Sequence, residues 1–342
     1  VRKLPVGAQL SIEERTDWVR LDWNENPYPP SPVVRNAVHA VSFLMNEYAP
    51  LDQSRIIDKL CAYLGGNVKP ENIVLFGGAG SALGYAFRAF LEANPMGWCM
   101  AGWTEPNYGY LPAYVIRNFI KMVTVPDIWE PSMDALRQLS KNCNIVYVSN
   151  PMAQTGMVYD TSDLVRLKCH MIVDEVYAEF SGQTILEHWP LENTVVVRSF
   201  SKSFSLAGLR IGYVVAPPDL AERMRMIKDL EDVSIFAYAA AEASLTAEGI
   251  LAARSNMRKV GWTRDEVLNE LALDLGYNPY PSRANFVTFA EPAAEDLRVF
   301  LAARKVLVRT IPDTNRIRMA VRTPDDMRQA MNALKEWNHG KP

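Results

Sequence analysis

Along most of the chain, short apolar runs alternate with longer stretches in which apolar residues recur every three or four positions. The first pattern is that of a strand buried on both faces, the second that of an amphipathic helix. Runs at 73–76, 98–101, 120–125, 145–149, 171–174, 194–199 and 210–216 read as strands. Between them, 78–91, 108–118, 132–139 and 161–168 read as helices. Strands alternating with helices predict a mostly parallel, doubly wound sheet, so the expected fold is α/β, a three-layer αβα unit. Ahead of it, Asn24-Glu-Asn-Pro-Tyr-Pro-Pro30 cannot sustain a helix or a central strand, because its prolines remove donors and fix the backbone. Residues 1–32 therefore read as an extended arm that packs with the C-terminal domain, leading into helices at 32–45 and 52–65, the second stopped by Gly65-Gly66. Beyond 216 the pattern changes to helix at 218–230 and 237–275, with breaks, and then to strands near 285–289 and 316–321. This predicts a large domain over 33–235 and a small α+β domain over 236–342.

Composition narrows the class without changing the fold. The 342 residues are 49% hydrophobic and 22% charged, with a net charge of −3 and no basic run, which gives nucleic acid and anionic membranes no footing. No apolar run reaches the length of a membrane span and Val1 opens no leader pattern, so a cytoplasmic location is expected. Cys61, Cys99, Cys143 and Cys169 form no Cys-x-x-Cys pair and no ligand pattern with the histidines, so no metal site is expected and the thiols read as free.

The candidate chemistry gathers at the carboxyl ends of the expected strands, where ligands of open α/β sheets sit. Arg198-Ser-Phe-Ser-Lys-Ser-Phe-Ser-Leu-Ala-Gly-Leu-Arg210 sets Lys202 among hydroxyls with an arginine downstream. A lysine amine can condense with an aldehyde where it is partly desolvated among cations. Ser199, Ser201 and Arg210 are the donors that a phosphate on that aldehyde would need. Pyridoxal phosphate carries both groups. The strand-to-helix loop Gly78-Ala-Gly-Ser81 offers backbone amides to the same phosphate, and it lacks the Lys-Ser/Thr of a nucleotide P-loop. Asp174 follows an apolar run and is placed to keep a pyridine nitrogen protonated, while Tyr177, in the same turn, can bond the ring oxygen. Tyr108, in another loop at this edge, can stack on a planar ring. Arg318 alternates with Arg316 along a strand, and a buried arginine there would bind a carboxylate bidentately.

Taken in order, these motifs resemble those of fold type I pyridoxal-phosphate aminotransferases, most closely the histidinol-phosphate aminotransferase branch, from Leu21-Asp-Trp-Asn-Glu-Asn-Pro27 to Arg318-Met-Ala-Val-Arg-Thr-Pro324. The resemblance implies that Lys202 bonds the cofactor aldehyde and that Ser199, Ser201, Arg210 and the amides at Ala79, Gly80 and Ser81 hold its phosphate. It pairs Asp174 with the ring nitrogen, Tyr177 with the ring oxygen and Tyr108 with the ring face. It assigns Arg318 to a substrate carboxylate, Arg309 to the distal end of the substrate, and Asn26 to the substrate-binding set. Tyr48 is similar to a tyrosine that reaches the phosphate of the neighbouring subunit, which implies a homodimer. The implied reaction moves an amino group between an amino acid, or a histidinol-phosphate-like amine, and a 2-oxo acid, with Lys202 as acid and base. A decarboxylase or lyase of the threonine-phosphate decarboxylase type, or a non-catalytic cofactor-binding sensor, would use the same scaffold.

The chain departs from the family pattern at one informative place. Where the family has Asn-Pro-x-Asn-Pro-Thr-Gly, this chain has Asn150-Pro-Met-Ala153-Gln-Thr-Gly156, so an asparagine that donates to the ring oxygen falls on Ala153. Tyr177, Gln154 or water must then supply that bond. The Gly-Ala-Gly-Ser loop also departs from the Gly-Ala-Asp-Glu common in the branch.

Overall fold

The structure, a computed structural model, describes residues 10–94 and 96–340. The start of the expected arm, and Val1 with it, lies outside the described residues. A short strand β1 (Val19–Arg20) precedes the strands of a central sheet: β2 (Ile73–Phe76), β3 (Met100–Thr104), β4 (Lys121–Val125), β5 (Ile145–Ser149), β6 (His170–Asp174), β7 (Thr194–Ser199) and β8 (Gly212–Val215). The C-terminal part adds β9 (Phe286–Ala290), β10 (Val306–Leu307), β11 (Arg309–Thr310) and β12 (Arg316–Ala320).

The central sheet has seven strands in the order β2-β8-β7-β6-β5-β3-β4, and β8 alone runs against the others. Its inner strands β5 and β7 are buried along their whole length, as parallel strands covered on both faces are. The pleat sorts successive residues to opposite sides. Val146, Val148, Val173 and Val196 face one apolar layer, which includes Ile56 and Leu60 of the helix Ser54–Leu64. Ile145, Tyr147, Ile172 and Val197 face the other, which includes Phe87 and Phe90 of the helix Ala79–Ala93. These are the three layers that the alternating pattern predicts.

A second core lies under the three-stranded sheet β11-β12-β9 and the helices Ala294–Ala302 and Pro324–His339. Val19 and Leu21 of the arm belong to this core, and β1 pairs in parallel with β10. The helix Ile235–Ser244 packs Ala237, Ala240 and Ala241 into the first apolar layer instead. It does so although it falls almost wholly within the 236–342 expected for the small domain.

Local differences from the pattern have local causes. Strand β3 starts at Met100 rather than 98, because the Asn94 side chain holds the Trp98 carbonyl at 2.7 Å and Asn144 Oδ1 accepts the Met100 N–H at 2.8 Å. The helix expected at 161–168 ends at Leu164. Among the described residues no single helix is long and apolar enough to cross a membrane.

Candidate active site

The carboxyl ends of β5, β6 and β7, the loop after β3 and the arm enclose a cavity of about 530 Å³. Into it come Lys202, Asp174, Tyr177 and Tyr108, with Ser199, Ser201 and Arg210 along one side. Ala79 and Gly80 also line the cavity, as do Arg309, Arg318 and the arm residues Asp22 to Glu25. Four expected residues do not line this cavity. Gly78 and Ser81 belong to the same turn without lining the cavity, Asn26 uses its side chain to hold the Lys202 carbonyl at 3.0 Å, and Tyr48 is 82% exposed on the surface.

The phosphate side is shaped by backbone. Gly78 has φ +97° and caps the helix Ala79–Ala93, leaving the first amides of that helix without intrahelical partners. A Cβ on Gly78 would meet Arg210 Nη2 at 2.6 Å, so only glycine lets the guanidinium lie against this turn. Arg210 itself is in the left-handed region, φ 55°, ψ 64°, and its Nη1 donates to the Ala207 carbonyl at 3.0 Å. A side chain in that sparsely populated conformation is held by its surroundings, here with its charge beside a helix N-terminus. Such a concentration of positive potential fits a dianionic phosphate.

On the ring side, Asp174 is 5% exposed, and burial pushes its carboxyl up to about 6, with the Tyr147 hydroxyl and the Val176 N–H pulling it back. Tyr147 donates to Oδ2 at 2.7 Å and Val176 N–H to Oδ1 at 3.2 Å. Lys202 Nζ lies 6.0 Å from the Tyr177 ring centre and donates to the Trp23 carbonyl at 3.4 Å. The Tyr177 hydroxyl accepts from Asn24 Nδ2 at 3.0 Å. An amine, a buried carboxylate and a phosphate cradle around one cavity match the three polar ends of pyridoxal phosphate, so the residues present fit that group.

The departure at Ala153 has a structural consequence. Gln154 lines the cavity with both ends of its amide engaged: its Nε2 donates to the Asn107 carbonyl at 2.6 Å and its Oε1 accepts from Arg318 Nη1 at 3.1 Å. The Ala153 carbonyl accepts from the same Nη1 at 3.1 Å. Residues 153 and 154 thus orient the arginine.

Arg318 is almost fully buried, and burial lowers its guanidinium to about 10, still protonated at neutral pH. Its Nε has no hydrogen-bond partner among the described residues. Arg316, by contrast, lies outside the cavity with its guanidinium 3.7 Å over the Trp129 ring. Behind the site, Arg198 bonds Glu175 at 2.8 Å and Glu179 at 3.0 Å in a buried network that braces the turn after β6.

Sequence reasoning missed Asp22, Asn24 and Tyr147. Asp22 lines the cavity, is 3% exposed and has no partner for either oxygen among the described residues. Burial raises its carboxyl, with Arg20 and Arg309 opposing. The signal for Tyr147 was available, since strand alternation puts it on the same face as Ser149, beside Asp174 on the next strand.

Residues 16–334 match the family model described as aminotransferase class I and II. The histidinol-phosphate aminotransferase of Geotalea uraniireducens is 33% identical over 95% of this chain and 94% of its own length. That of Geotalea daltonii is 31% identical over 95% and 94%. A putative histidinol-phosphate aminotransferase from Erwinia carotovora atroseptica superposes with a TM-score of 0.84 at 25% identity, covering 95% of this chain and 97% of that one. The Sinorhizobium meliloti histidinol-phosphate aminotransferase, solved with pyridoxal-5′-phosphate, has the same fold with a TM-score of 0.84 at 22% identity, over 99% and 98%.

Proposed function

The chain belongs to the class I and II aminotransferase family, enzymes that depend on pyridoxal phosphate, and we propose that it transaminates an amine bearing an anionic group, with histidinol phosphate as the first donor to test. A 2-oxo acid accepts the amino group in the second half of a ping-pong cycle. The observation that carries this reading is the pair of arginines, Arg309 and Arg318, lining the same cavity as Lys202 and Asp174.

When bound, the cofactor supplies an aldehyde that captures the amine and a protonated ring that takes up electrons from the substrate Cα. Ser199, Ser201, Arg210 and the amides of Ala79 and Gly80 would hold the phosphate, and Asp174 would keep the proton on the ring nitrogen. Tyr177 would donate to the ring oxygen, and Tyr108 would cover the ring face. Lys202 Nζ would hold the cofactor, and its free amine would be the base that takes the Cα proton and the acid that gives it back. Arg318 grips the carboxylate of an amino acid, or joins Arg309 on the phosphate of histidinol phosphate. The bond at Cα that breaks is set by how this anion clamp orients the substrate.

Tyr48, far exposed on its own subunit, is proposed to complete the phosphate site of a second copy, in a dimer of this chain. The four cysteines are free, in keeping with a proposed cytosolic setting. A panel of amino donors, read out as the pyridoxamine form of the cofactor and as keto product, tests the reaction. Histidinol phosphate ranking first supports the reading. Carbon dioxide release from a phosphorylated amino acid, without keto product, would replace transamination by decarboxylation.

A further inference from the structure

Tyr147 is fully buried in the apolar layer beneath the cavity, its ring stacked on Phe87 with centroids 6.5 Å apart. A phenylalanine would fill that space equally well, and a hydroxyl taken out of water there is costly unless it is bonded. Its partner is Asp174 Oδ2, at 2.7 Å. The register explains the reach: Tyr147 pairs with Ile172 across β5 and β6, and Asp174 is the next residue on that same face. A long side chain leaning along its strand spans to this diagonal neighbour.

We propose that Tyr147 is a positioning residue for Asp174, orienting its carboxylate toward the cofactor ring nitrogen and limiting its basicity. The inference rests on the pyridoxal-phosphate reading above. Each carboxylate oxygen has one protein donor, Tyr147 on Oδ2 and the Val176 N–H on Oδ1, so the plane of the group is set before the cofactor arrives. Burial favours the neutral acid, while a donor to the charged form opposes it. Tyr147 stays a donor, since burial and the adjacent carboxylate hold its own hydroxyl far above the ordinary tyrosine range. Without that hydroxyl Asp174 becomes a stronger base, and the proton it shares with the ring nitrogen moves toward the carboxylate.

The test uses the full chain loaded with pyridoxal phosphate labelled with nitrogen-15 in the ring. In Tyr147→Phe the ring nitrogen resonance moves toward its unprotonated position, and cofactor affinity falls on the order of tenfold, the size expected for one hydrogen bond to a buried charge. In an Asp174→Asn background the same change has no further effect on affinity. Replacing Tyr147 by 3,5-difluorotyrosine, an isostere with a more acidic hydroxyl, moves the resonance the other way and covers the case in which the phenylalanine variant does not fold. An unmoved resonance in either variant, or an equal affinity loss without Asp174, overturns the proposal. A wild-type chain that binds no cofactor overturns the cofactor reading and this inference with it.

Discussion

Arg309 and Arg318 are Cα partners on the adjacent antiparallel strands β11 and β12, and both side chains line the cavity that holds Lys202. Like charges directly opposite each other on a sheet destabilise it. Arg318 bears this beside Phe286, whose ring centre lies 5.3 Å from its guanidinium, with one nitrogen unbonded among the described residues. An anion between the two guanidinium groups would relieve the repulsion and use the free donors, which supports the proposal that this pair takes an anionic substrate.

Arg318→Ala is expected to lower kcat/KM for an anionic donor on the order of a hundredfold, the cost of removing one partner of a buried charge pair. Arg318→Lys recovers little of this, because an ammonium cannot reproduce the fork. Arg309→Ala costs more with a phosphorylated donor than with a simple amino acid. Steady-state kinetics with both donor types measures the difference; equal losses would mean that the two arginines do not divide the substrate as described.

Lys202→Ala removes the amine proposed to carry the cofactor. The expected variant binds pyridoxal phosphate without a bond that borohydride can trap, and its turnover falls by several orders of magnitude. Absorbance spectra and mass analysis after borohydride treatment check this, and a trapped adduct on another lysine would contradict it.

The pH dependence of the cofactor-free protein follows from Asp174. Its carboxyl lies at about 6, above the ordinary 3.8. A raised carboxylate favours the folded state below the unfolded value and loses that contribution as pH rises to the folded one. Unfolding stability should therefore decline by about 3 kcal/mol between pH 4 and pH 6 on account of this group. Asp174→Asn removes this component of the slope, as denaturant titrations at several pH values would show. Cofactor affinity is expected to run the other way, weakening below about pH 6 as the carboxylate proposed to meet the ring nitrogen becomes protonated.

Arg198 is 4% exposed between Glu175 and Glu179. Arg198→Met leaves two buried carboxylates without their cation and is expected to cost about 3–5 kcal/mol of stability. Urea unfolding measures it. A loss under about 1 kcal/mol would show that the carboxylates find protons or water instead.

If Tyr48 serves a neighbouring subunit, Tyr48→Phe weakens cofactor binding in the homodimer. Mixed dimers of Tyr48→Phe and Lys202→Ala chains then contain one site with both residues intact, and activity returns in the mixture. Its failure to return in mixtures shown to exchange subunits would place Tyr48 outside the site.

Several elements were legible from local pattern because their cause is local. Strands 73–76, 145–149 and 194–199 appear with the expected bounds, since buried β-branched runs leave little choice of conformation. The two-residue strands β1, β10 and β11 carry no such pattern, because their pairing partners are far away in the chain. The cluster of Lys202, Asp174, Tyr177 and the serines could be anticipated because each lies at or just beyond the carboxyl end of β6 or β7, two neighbouring parallel strands.

Residue order alone was enough for the cofactor chemistry: Lys202 among hydroxyls, Asp174 at a strand end and glycines before a helix are each defined within a few bonds of backbone. Folding in three dimensions settled the contacts between distant segments. It turned Asn26 from the cavity to the Lys202 carbonyl, engaged Gln154 with Arg318, and set Tyr147 against Asp174. The physical reason is that side-chain hydrogen bonds are chosen by competition among all donors and acceptors that packing brings within about 3 Å, and packing is a property of the whole chain.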